Sequence, residues 1–170
     1  MKDTLKFNEF IELLYQSLSR HFKSSNFLKG INYPIKNMAS QDELINAITI
    51  SSVFYIWIIM FSVKKCFGNL YKEILDSFLE LIWNRSQQFK DTYKNFENFI
   101  LIINADFNKY DSALQDKKDP IFKLCSSFLN YLFNREITDV RALFHISSYF
   151  YETSKVYDKI FGNIKLKLEN

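Results

Sequence analysis

A chain of 170 residues, 48% hydrophobic and 18% aromatic, is long enough to bury a core without staples, and its 3 Gly and 2 Pro are too few for the many turns of an all-β fold. Its 22 basic and 19 acidic residues leave a net charge of +3, too balanced for the concentrated basic face of a nucleic-acid binder. Cys66 and Cys125 stand far apart and outside any C-x-x-C pair, which excludes a disulfide framework or a zinc site and reads as two reduced thiols of a cytoplasmic protein.

The first ten residues interleave charged and apolar side chains and lack the apolar run of a signal peptide. Over 4–22, Phe7, Phe10, Ile11, Leu14, Leu18 and Phe22 recur at steps of one helical face, with Asp3 or Thr4 as cap. The period fails over 19–40, where Gly30 and Pro34 mark an irregular connection packed on the body by Phe27, Leu28 and Ile31. Ser40 and Glu43 form a capping box for the next helix, which runs through 44–63 without a charge and stops at Lys64, Lys65 and Gly68.

From 69 to 119 no Gly or Pro occurs, and Leu75, Ile82, Phe89, Phe96, Ile103 and Tyr110 recur at every seventh position. The polar stretch at Arg85-Ser86-Gln87-Gln88 predicts two helices, about 69–86 and 88–110, with a coiled-coil arm as the alternative. The segment 111–119 reads as a loop or a frayed helix end. Asp119-Pro120 opens a helix to Asn134, and Thr138 or Asp139 caps a last one that ends at Gly162. Its apolar face is read as Val140, Leu143, Phe144, Ser147, Phe150 or Tyr151, Val156, Tyr157 and Ile160. The tail alternates, but a strand without a partner is marginal, so it is taken as a tail.

The uncharged stretch 44–63 has the length of a membrane span, with Lys64 and Lys65 as a flank. Asn46, Thr49, Ser51, Ser52 and Ser62 dilute it, and the amphipathic helices around it need an apolar surface to bury against. We read it as the hub of an all-α single domain, 1–170, with five to six helices around a central hydrophobic helix at about 41–67. A single-span membrane protein is the alternative.

Arg141 and His145 lie four residues apart and share a helical face, where a His could move a proton and an Arg could hold a phosphate. The surrounding NREITDVRALFHIS resembles the arginine–histidine motif of HEPN-domain ribonucleases, which implies an all-α protein cutting RNA between two protomers. That family usually keeps at least four residues between the pair; here Ala142, Leu143 and Phe144 make three. The competing reading pairs Arg141 with Asp139 or Glu152 and sets His145 at a core boundary. It is the one adopted.

His21, near the end of the first helix, is read as a cation at a helix C-terminus. Glu73, Asp76 and Glu80 share a face but lack the Glu-x-x-His pairs of a dimetal bundle, so no metal is expected. No Gly-rich phosphate loop occurs, and no cofactor is expected. Trp57 is assigned to the core. Trp83, beside the seam, is a candidate interface aromatic, and so are Tyr149 and Tyr151, since Tyr149, Phe150 and Tyr151 cannot all face inward. The expected function is a non-enzymatic helical protein of inhibitor, immunity or adaptor type, acting through another protein or as a homodimer. Nucleic acid is not expected as a partner. A ribonuclease using Arg141 and His145 is the alternative.

Overall fold

The computed structural model describes residues 3–23 and 41–167. The irregular connection over 24–40 and the capping Ser40 lie outside the described residues. Within them the protein is all-α: seven helices and one two-stranded parallel sheet. Strand β1 is Asp3–Lys6, followed by helix α1, Phe7–Lys23. Helix α2 is Gln41–Cys66, α3 Tyr71–Arg85, α4 Gln87–Tyr93, α5 Phe96–Leu114, α6 Pro120–Phe133 and α7 Val140–Gly162; strand β2 is Ile164–Lys167.

Helix α2 is the hub. Every side chain from Val53 to Met60 is at most 3% exposed, so this helix is buried on all sides. It packs against α7 above all, and also against α1, α3, α5 and α6. The stretch Ala47–Cys66 has the length and mean hydropathy, 1.7, of a membrane span, yet 78% of it is buried by the other helices. Its aromatic residues set the packing. Phe54 stacks on Phe128 of α6 at 4.2 Å and meets Tyr110 of α5 edge-on at 5.1 Å. Trp57 donates from Nε1 to Asp111 Oδ1 at 2.9 Å, and Lys64 donates to the other carboxylate oxygen at 3.1 Å.

Three expectations are corrected. The helix does not begin at Thr4: residues 3–6 pair in parallel with 164–167, Asp3 beside Ile164 and Lys6 beside Lys167. Two such segments, each marginal alone, become strands because the fold brings the chain's ends together. Secondly, the 69–110 stretch contains two breaks, giving seven helices where five to six were expected. The break at Ser86 was anticipated; the other lies at Lys94, with φ 61°, before Asn95, whose side chain caps α5 by accepting from Asn98 N at 2.8 Å. The heptad residues are buried or half-buried, so their period is that of a core and not of a coiled-coil arm. Of the stretch read as a loop or frayed helix end, 111–114 form the last turn of α5.

Thirdly, α7 is rotated from the expected orientation. Asp139 caps it, its Oδ1 accepting from Arg141 N at 2.9 Å. Its buried face is Ala142, Leu143, Ile146, Tyr149, Phe150, Ser154, Tyr157 and Phe161, while Val140, Phe144, Val156 and Ile160 face outward. Two apolar stripes fit this helix, and the neighbours of α7 select one.

Replacing Phe54 by Ala removes the ring that joins α2 to α5 and α6 and should cost about 3–5 kcal/mol. Phe144→Ala, at a side chain 71% exposed, should change stability by about 0.5 kcal/mol or less. Urea unfolding at constant pH measures both.

Candidate functional site

Helix α7 carries the largest concentration of exposed apolar side chains among the described residues. Eight large hydrophobic residues are exposed among them, and five lie on α7: Val140, Phe144 and Tyr151 on one stripe, and Val156 and Ile160 more than about 100° round the helix. Scattered exposed apolar residues are ordinary, but a cluster on one element marks a binding face. Val140 and Phe144 line a hollow of about 360 Å³ together with Arg141 and His145.

Arg141 and His145 are therefore brought together, both exposed, on this face. Arg141 Nε lies 3.8 Å from Asp139 Oδ1, one of the two carboxylates, Asp139 or Glu152, with which the sequence reading paired it. His145 is exposed and not at a core boundary. Of the three candidate interface aromatics, only Tyr151 stands on the surface, 63% exposed, with Lys155 Nζ 5.8 Å from its ring. Tyr149 is buried, correcting its assignment to an interface. Trp83 is half-buried, its ring against Phe96 at 6.0 Å and Phe99 at 5.5 Å, where it covers the core instead of standing out as an anchor.

On the adjacent side of α7 lies a second hollow, about 470 Å³, lined from α1, α2 and α7 by Ser17, Arg20, His21, Tyr55, Glu152, Thr153, Val156, Tyr157 and Ile160. His21 stacks flat on Tyr55, ring centres 3.6 Å apart, and its Nε2 shares a hydrogen bond with the Tyr149 hydroxyl at 2.7 Å. Tyr55 and Tyr157 share another at 2.6 Å. Burial raises all three phenols above their usual range, Tyr55 and Tyr149 the most. The same burial pushes His21 down to about 4, so it is a neutral ring and not the helix-end cation expected. Residues 34 and 128 positions from His21 make this cluster, and no local motif announces it.

Other reactive groups are quiet. Cys125 is buried beside Ser147 at 3.3 Å, and burial pushes its thiol up to about 11. In a hollow of about 460 Å³ between α5 and α6, Lys109 pairs with the buried Asp106 at 2.9 Å. Among the described residues no group of three His, Cys, Asp or Glu side chains could hold a metal.

The His21 cluster predicts an acid-sensitive fold. The unfolded imidazole takes up its proton near the ordinary value of 6.5, the folded one only near 4. Stability is therefore fully present above pH 6.5 and declines as pH falls toward 4, because the unfolded state binds more protons there. The phenols facing the ring, Tyr55 of α2 and Tyr149 and Tyr157 of α7, are raised by burial and so keep their protons between about pH 5 and 6.5. Urea midpoints measured across that interval should fall by up to about one proton's worth of slope, and His21→Gln should flatten it. A flat wild-type profile would contradict a neutral, buried His21.

Comparison with known proteins gives no match: no family model fits the chain, and no curated protein and no solved structure is similar to it.

Proposed function

We propose that the protein is a non-enzymatic binding module that docks another protein on the outer face of α7. The observation that carries this is the gathering of Val140, Phe144 and Tyr151 on one stripe of α7, within an arc of about 40°, while the buried face of the helix packs on the core. Removing an exposed Phe or Tyr from water contributes roughly 1.5–3 kcal/mol, so two such anchors supply much of a micromolar affinity. Arg141, His145 and Glu152 give the apolar stripe a polar margin, the usual anatomy of a protein interface. A cytoplasmic setting is part of this reading: the two cysteines, Cys66 and Cys125, stand far apart in a chain whose cysteine spacing makes no disulfide framework.

A ribonuclease built on Arg141 and His145 is the second reading, favoured by their meeting in one hollow. RNA cleavage by the pure protein that is lost in His145→Ala would establish it against a binding-only role.

A photo-crosslinking residue placed at 144 or 151 should yield a discrete protein adduct in the cell that makes the protein. The same residue at position 72, whose Lys side chain is 84% exposed on α3, should not. No adduct, or equal adducts from all three positions, would overturn the docking role of α7.

A further inference from the structure

We propose that the protein docked on α7 is a second copy of this chain, paired antiparallel about a two-fold axis between Ser147 and Ser148; this rests on the reading of α7 as a docking face. At about 100° per residue, Val140, Phe144 and Tyr151 fall within an arc of about 40°. All three are more than 60% exposed, at 72%, 71% and 63%. At the middle of the stripe stand Ser147 and Ser148, half-buried and small enough for two helices to cross closely.

The chemistry of this stripe is self-complementary about that midpoint. A two-fold contact sets each residue of one copy against a fixed residue of the other, so the two halves must match one another. Phe144 comes opposite Tyr151 of the partner subunit, an aromatic pair at the edge of the hollow that Phe144 lines. Val140 comes opposite Lys155 of the partner subunit, whose alkyl stem can cover it while its ammonium stays by the Tyr151 ring. Arg141 and Glu152, both exposed, lie on the same flank of the stripe. The symmetry brings each Arg141 to within two residues, about 3 Å of helix rise, of Glu152 of the partner subunit. Aromatic against aromatic and cation against anion, each twice, is the pattern an isologous interface needs. An unrelated protein would place no such demand on the two halves of one helix.

Sedimentation equilibrium of the full chain tests this. The mass should rise with concentration from 20.3 kDa toward twice that value, with half-association below about 100 µM. Phe144→Lys and Tyr151→Lys should each leave a monomer throughout, with thermal unfolding unchanged at concentrations where the wild type is itself a monomer, because both positions are exposed. Arg141→Glu should weaken association about tenfold, and adding Glu152→Arg should recover most of the loss, which a purely structural role for either residue would not produce. A wild-type monomer at about 100 µM would overturn the pairing, as would a dimer that survives Phe144→Lys or a charge swap without recovery. The crosslink at position 144 separates this from the broader reading. An adduct of twice the chain mass supports both, an adduct of any other mass sinks the homodimer alone, and none at all sinks both.

Discussion

The structure depends on one constraint: α2 must be covered on every side. A helix whose side chains from Val53 to Met60 are all apolar or aromatic has no face to offer water. Each amphipathic neighbour, in turn, has one face to hide. The two needs meet at the rings of α2, where Phe54 engages α5 and α6, and Tyr55 engages α7. Two of the polar groups that α2 carries inward are matched: Tyr55 finds Tyr157, and Trp57 finds Asp111, whose carboxylate also takes Lys64. Burial of a polar group is tolerated where such a partner exists.

The same contacts decide what α7 presents to the outside. Tyr157 is held by Tyr55, and Tyr149 by His21, so the helix cannot turn about its axis without leaving buried hydroxyls unpaired. With that side locked inward, Val140, Phe144 and Tyr151 have no place but the surface. The outward stripe is thus a consequence of the inward hydrogen bonds. A stripe held this rigidly costs little ordering on association, which suits a docking face.

His21 links the two ends of this argument. It sits on α1, stacks on the hub and bonds to α7, so a single neutral ring ties three helices together. Its proton is excluded by the same burial that gives the contact its strength.

The amino-acid sequence by itself determined the helical class, the central role of the uncharged stretch, the break at Ser86 and the cap at Asp119, and it narrowed the last cap to Thr138 or Asp139. Each is a local matter, decided by spacing of apolar residues or by a side chain reaching its own helix end. It also showed Arg141 and His145 to be neighbours, since four residues make one helical turn. The paired strands at the two ends, the break at Lys94, the neutral state of His21 and the burial of Tyr149 were decided only by the tertiary structure. So was the rotation of α7: its two apolar stripes are equivalent in periodicity, and what separates them is a hydroxyl on Tyr55 and a ring nitrogen on His21, more than a hundred positions from Tyr157 and Tyr149.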